Sequence, residues 1–283
     1  MRRTHPRVVL GLHRSRHERR TLTAALDLGV TAIDTSFSYR AFTSHRTLRR
    51  VVGDLLPRLS ISTKVGFFPV GNGRAEHSLD PGRLLGAVEA TNADLGRPPD
   101  LVLLHNPERS LALGSGREEL AAACDVLRTA TATGLCSAWG VSTWDPTTLV
   151  NLIDRTTPRP AVLMVRAGLT VGAAALEVSE SLVARWQPGA MWGMSPFGGD
   201  ARDPVWDAFD PRAFLRAPGT DAARLQAAFR VAYDLPPART VAVGADDPDH
   251  LRELLNALDL EVDASAVRRY RSLLRDRNSR QSA

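Results

Sequence analysis

The chain has 283 residues, a length that suits one α/β barrel or two ordinary domains. With 43% hydrophobic and 24% charged residues it is globular in composition; no run of 18 apolar residues could span a membrane, and the basic start MRRTHPRVVLGLHRSRHERR lacks the apolar core of a secretion signal, so a soluble cytoplasmic protein is expected. The net charge of +5 comes from arginines scattered through every predicted helix, without a basic run interleaved with aromatics, which argues against a nucleic-acid partner.

In chain order, β-type runs are predicted at 7–12, 31–34, 59–64, 100–106, 136–142, 161–167, 189–195 and 239–245. Amphipathic helical patterns alternate with them at about 17–29, 44–56, 81–96, 116–133, 145–155, 171–186, 220–234 and 247–258, and one more helix is expected at 263–275. Eight strands alternating with eight helices is the count of a (β/α)8 TIM barrel, and no Gly-rich phosphate fingerprint follows the first strand to suggest a Rossmann sheet. No composition break or Pro/Ser-rich linker divides the chain, so residues 1–283 are expected to form a single domain. Two loops are long, 106–118 and 196–220, and both follow carboxyl ends of strands, the face where barrel active sites are built. Cys124 and Cys136 are too few for a disulfide framework and lack a metal-binding spacing, so they read as reduced residues and no metal is expected.

A closed barrel brings strand ends together at one mouth. Asp34 closes the second predicted strand, Tyr39 lies in the loop after it, Lys64 closes the third and His105 the fourth. Lys64 is the single lysine among 36 basic residues. Lysine is a compact ammonium of tunable proton affinity where arginine stays protonated and forked, which hints at a chemical reason for it here. An ammonium within roughly 4 to 6 Å of a phenol favours the phenolate and lowers the phenol pKa. A carboxylate beside the lysine keeps it charged, and a histidine can orient a carbonyl oxygen or relay its proton. Taken singly, each has a plainer role: a cap, a surface aromatic, a snorkelling cation, a loop histidine. Four types at successive strand ends read as one acid site.

These residues carry a resemblance. GVTAIDTSFSY resembles the Gly-x-x-x-x-Asp-Thr-Ala-x-x-Tyr motif of the aldo-keto reductase superfamily, and ISTKVG and DLVLLHNPE resemble its lysine and histidine strands. WGVST is similar to its Gly-Val-Ser-Asn, and WGMSPFGGD to its Tyr-Ser-Pro-Leu-x-x-Gly segment. The resemblance implies an NADP(H)-dependent barrel that moves a hydride to an aldehyde or ketone. In it Tyr39 is the general acid, Lys64 lowers its pKa, Asp34 holds Lys64 and His105 orients the carbonyl. Cofactor contacts would fall on Ser142 and Thr143 for the carboxamide, Met164 and Met194 around the nicotinamide, Ser195 and Phe197 at the diphosphate and ribose, and Gly244 and His250 near the 2′-phosphate. His13 and Trp144 are the candidate substrate contacts, and Trp139, Trp192 and Trp206 could line the same pocket or pack in the core.

The departures from the family pattern concern cofactor and substrate. Met194 stands where the family stacks an aromatic, Thr143 where it has Asn and Met164 where it has Gln. Asp246 and Asp247 stand where a phosphate dianion would need cations, which points toward NAD(H) unless Arg202, Arg212 or Arg216 compensates. Arg40 replaces the glycine after the tyrosine, and a shortened rim suggests a small-molecule carbonyl that is bulky, in specialised metabolism. Two other readings stay open: a redox-neutral dehydratase, isomerase or cyclase using the tetrad without nucleotide, and a non-catalytic binding subunit of unspecified oligomeric state.

Overall fold

A computed structural model describes residues 7–71, 73–111, 116–216 and 221–281. Eight parallel strands close into a barrel: β1 (Val8–Gly11), β2 (Ala32–Asp34), β3 (Ser60–Val65), β6 (Leu101–His105), β7 (Trp139–Thr143), β8 (Val162–Arg166), β9 (Ala190–Met194) and β10 (Thr240–Val243). All eight predicted strands form, and β10 pairs with β1 to leave no edge. Runs such as Leu101–His105 are almost continuously apolar because each strand is covered on both faces, by helices outside and by barrel interior within.

The interior is a plug of Val9, Leu101, Leu103, Val162, Met164 and Ala242, so the barrel has a floor and opens only above it. Gly140 makes that closure possible. A Cβ there would lie 2.3 Å from the Val162 carbonyl oxygen and 2.7 Å from Leu103 Cδ2, so any side chain would force β6, β7 and β8 apart. Outside, Leu22, Leu48, Leu84, Leu120, Leu127 and Leu182 come from successive helices and seal the outer faces.

Two elements differ from expectation. The predicted helix at 145–155 is only a 3-10 turn, Leu149–Asn151. Asp145 accepts the Thr147 N–H and hydroxyl, and Asp154 accepts those of Thr156; these local bonds offer the backbone an alternative to the helix. An unforeseen antiparallel hairpin, β4 (Phe67–Pro69) with β5 (Ala75–His77), follows β3 and sets Phe67 and His77 against His105. The predicted helix at 220–234 begins at Arg224, its first predicted residue lying outside the described ones together with parts of both long loops, 112–115 and 217–220. The rest of the second long loop is anchored: Trp206 and Phe214 are buried against Ala266 and Val267 of the last helix, Ala264–Gln281. Among the described residues no helix is long and apolar enough to cross a membrane.

Candidate active site

Asp34 ends β2 with its side chain turned into the barrel mouth, level with Ser62 on β3. Its Oδ1 accepts the Ser62 hydroxyl at 2.9 Å and its Oδ2 accepts the Lys64 ammonium, both groups being buried. Lys64 Nζ also donates to the Thr35 carbonyl at 3.0 Å and to the Tyr39 hydroxyl at 3.5 Å, so its three hydrogens are committed. Burial alone would push the Lys64 ammonium down, but Asp34 first and Tyr39 next raise it, and the net direction is upward. A lysine charged at neutral pH beside the phenol results.

Tyr39 reaches this ammonium through an unusual turn. Thr35 N–H and Phe37 N–H continue the β2–β3 ladder onto Ser62 and Lys64 carbonyls, and the chain then reverses in a left-handed turn with φ of 53° at Arg40, 50° at Ala41 and 64° at Phe42. Left-handed conformations cost about 1–2 kcal/mol per non-glycine residue. The glycine that Arg40 replaces in the family pattern would suit this backbone better. Burial pushes the Tyr39 phenol up, Lys64 pulls it down and Asp34 pushes it up again, leaving it above its ordinary value. The expected net lowering is therefore not seen. The phenol keeps its proton at neutral pH, the state an acid needs.

His105 ends β6, and the backbone leaves it through Asn106 in a left-handed conformation. Its ring lies 6.3 Å from the Tyr39 ring, while His13 packs edge-on against Tyr39 at 4.9 Å. Burial, then Lys64, His77, His13 and Arg109, hold His105 well below the usual imidazole range. It is neutral at pH 7, which suits orientation of a carbonyl and not donation of a proton as an acid. Its Nδ1 lies 3.3 Å from the Ser36 hydroxyl. His77 on β5 donates Nε2–H to the His105 carbonyl at 2.7 Å, which leaves its Nδ1 to accept the Ser110 hydroxyl at 2.6 Å. Phe67 on β4 is wedged edge-on between the two imidazoles, 4.8 Å and 4.9 Å away.

Around the mouth, Ser142 lies beside His105 in the β6–β7 register. It is buried, and its hydroxyl donates to the Met194 thioether at 3.7 Å, a weak acceptor. Thr143 is buried beyond it. Met164 has no exposed surface and belongs to the plug, so it lies beneath the mouth and does not line it; its apolar neighbours Val162 and Leu103 give a thioether its natural place. Ser195 is half-buried with φ 52°, and Phe197 packs edge-on against Trp206 at 6.2 Å. Gly244 and His250 are exposed, His250 on the helix Pro248–Asn256. Asp247 caps that helix by accepting the Asp249 N–H, and Arg252 pairs with Asp249. The arginines expected to offset these acids are engaged elsewhere, Arg212 with Asp210 and Arg216 with Glu261, while Arg202 is exposed. Trp144 is 41% exposed at the rim; Trp139 and Trp206 are buried in the core, and Trp192 packs on the plug.

The tetrad and His13 thus come together, with Ser142 and Met194 beside them. Sequence reasoning missed Ser36, Ser62 and His77. Ser62 had a signal, standing two residues before Lys64 on the same strand face. Ser36 stands where the motif has Ala. His77 belongs to the unforeseen hairpin.

Fold and site define a (β/α)8-barrel enzyme with its proton-handling groups at the carboxyl rim. A family model described as "Aldo/keto reductase family" matches residues 13–184, more than half of the chain. The chain belongs to that family and is an oxidoreductase of the aldo-keto reductase kind. Among solved structures it is similar to the holo form of an aldo-keto reductase from Bacillus halodurans (16% identity, TM-score 0.73, 95% of this chain and 91% of that one). It is also similar to an aldo-keto reductase from Klebsiella pneumoniae in complex with NADPH (18% identity, TM-score 0.70, 95% and 91%). A third is an aldo-keto reductase from a deep-sea metagenome library of the Medee basin (17% identity, TM-score 0.71, 95% and 92%). Among curated protein sequences none matches this chain.

Proposed function

We infer that the protein reduces an aldehyde or ketone with hydride from a nicotinamide nucleotide, and that Tyr39 protonates the oxygen. The observation that carries this reading is the Lys64 ammonium, buried and shared between Asp34, the Thr35 carbonyl and the Tyr39 hydroxyl. A carbonyl oxygen at the mouth would accept hydrogen bonds from Tyr39 and, when Ser36 donates to Nδ1, from Nε2–H of His105. As hydride reaches the carbon, negative charge develops on that oxygen and the phenol transfers its proton to it. The charge left on the phenol oxygen then faces Lys64, which stays neutralised on its other side by Asp34. General acid catalysis of this type contributes about 10²–10⁴-fold.

The residues present fit the nicotinamide end of the cofactor. Ser142 is a buried hydroxyl whose acceptor is a thioether; a carboxamide oxygen is the better partner, and the flexible Met194 can swing aside to admit it. The adenosine end fits NADH better than NADPH. Asp246 and Asp247 would repel a 2′-phosphate, whereas a carboxylate can accept from a ribose 2′-hydroxyl. The NADPH bound by the Klebsiella protein is a property of that protein.

Titration with NADH and NADPH, followed by quenching of tryptophan emission, tests this. Micromolar binding of NADH, tighter than that of NADPH by about tenfold or more, is expected from two like charges near the phosphate. Absence of binding of either at millimolar concentration would overturn the reductase reading. It would favour redox-neutral acid catalysis by the same tetrad, for which the Met194 cover over Ser142 is the supporting observation.

A further inference from the structure

The rim above β7 and β8 carries a charge that the proposed reaction does not use. Arg166 is the last residue of β8, in register with Met194 on β9. Val162 and Met164 on the same strand point into the barrel interior, so alternation places Arg166 on that inward face, one step nearer the mouth. Its guanidinium lies 5.2 Å from the centroid of the Trp144 ring. Its Nε is buried and has no hydrogen-bond partner, and among the described residues no carboxylate forms an ion pair with it.

Trp144 is held in place from behind. Glu108 Oε1 accepts the backbone N–H of Trp144 at 2.8 Å and that of Asp145 at 3.0 Å, which pins the turn leaving β7. The ring is thereby set with one face toward the guanidinium and 41% of the residue exposed at the mouth.

The two Nη groups of an arginine form an end-on fork that matches the two oxygens of a carboxylate. A desolvated charged N–H without an acceptor is unfavourable, and most of the described arginines avoid that state through ion pairs or carbonyl contacts, as Arg19 does with Asp54 and Arg185 with the Val150 carbonyl. Resting on the reductase reading above, we propose that Arg166 and Trp144 form a subsite for the carboxylate of an anionic carbonyl substrate. The acid sits on the Nη edge of the guanidinium, the apolar body of the substrate lies against Trp144, and the carbonyl reaches Tyr39 and His105.

The test compares 4-carboxybenzaldehyde with its neutral isostere 4-formylbenzamide, by calorimetric dissociation constants and by turnover with NADH. The wild type is expected to bind the acid at least about tenfold more tightly than the amide, the ratio a charge-assisted pair supports. Arg166→Gln should bring that ratio close to one while leaving the NADH dissociation constant and the melting temperature unchanged. Arg166→Lys, which keeps the charge but loses the fork, should retain part of the ratio and serves if the glutamine variant does not fold. Trp144→Ala should weaken acid and amide alike. Equal affinities for acid and amide in the wild type, or a ratio that survives Arg166→Gln, overturn the proposal. So does an Arg166→Gln variant that loses NADH and not the acid, which would assign the arginine to the nucleotide. Selective binding of the acid without reduction of either aldehyde leaves the subsite standing and removes the reductase reading; reduction without selectivity does the reverse.

Discussion

Asp34 and Lys64 form an ion pair almost without solvent, and such a pair is justified by what breaking it would do. Asp34→Asn removes one charge and leaves an ammonium buried beside a phenol, so it is expected to lower stability by about 3–5 kcal/mol. Urea unfolding at pH 7 measures this, and a loss below about 1 kcal/mol would show that water reaches Lys64. A second buried group contributes to the loss of stability in acid. His45 is buried, its Nε2 2.8 Å from the Thr63 hydroxyl; burial first, then His17 and Arg46, lower it to about 4. Because the unfolded chain binds this proton at higher pH than the folded one, stability is complete above pH 6.5 and is lost as pH falls toward 4. The loss is about 3 kcal/mol from this group, at about 1.4 kcal/mol per pKa unit. Between pH 7 and pH 4, His45→Asn should therefore lose about 3 kcal/mol less than the wild type; parallel losses would contradict the assignment. Neither His45 nor its neighbour His17 was legible in the sequence. A buried histidine and a surface histidine look alike until the strand behind them is placed, whereas the lone lysine at a strand end drew attention by its rarity.

At the scale of elements, the left-handed turn at Arg40, Ala41 and Phe42 is the most strained backbone of the site. Its sequence cue was indirect: the family pattern has glycine where this chain has Arg40. The Arg40 guanidinium is exposed, with one long contact to the Ser15 carbonyl, so little is lost with the side chain. Arg40→Gly should stabilise the protein by about 0.5–1 kcal/mol, roughly 1–4 °C in melting temperature for a chain of this size. A fall in melting temperature would mean that the arginine holds the turn and does not strain it. The strands were the most legible elements, since doubly covered strands write themselves as continuous apolar runs. The segment 145–155 was misleading because its apolar spacing suits a helix, while Asp145, Asp154 and their threonine neighbours commit the backbone to turns. The hairpin after β3 was overlooked although its tip carries the glycine pair Gly71 and Gly73, both at positive φ, and with it went His77 and the backing of His105.

For the whole molecule, closure of the barrel turns three strand ends and one loop, separated by up to seventy-one residues, into one site, and this follows from strand count alone once the order is right. What strand order cannot convey is which rim residues point at a ligand and which hold their neighbours. Met164 and Phe197 align with cofactor positions of the family, yet one belongs to the floor of the barrel and the other packs edge-on against Trp206. The acidic segment at Asp246 and Asp247, by contrast, was readable as charge, and it carries the preference for NADH proposed above. The role proposed for the Tyr39 phenol, backed by a charged lysine, is proton donation in carbonyl reduction. Its most direct test is a single-turnover measurement of NADH oxidation by 4-carboxybenzaldehyde in the wild type and in Tyr39→Phe, each saturated with nucleotide. The rate constant should fall by about 10²-fold or more in the variant while its nucleotide affinity and melting temperature are unchanged. A variant that retained more than about a tenth of the wild-type rate would place the proton donor elsewhere.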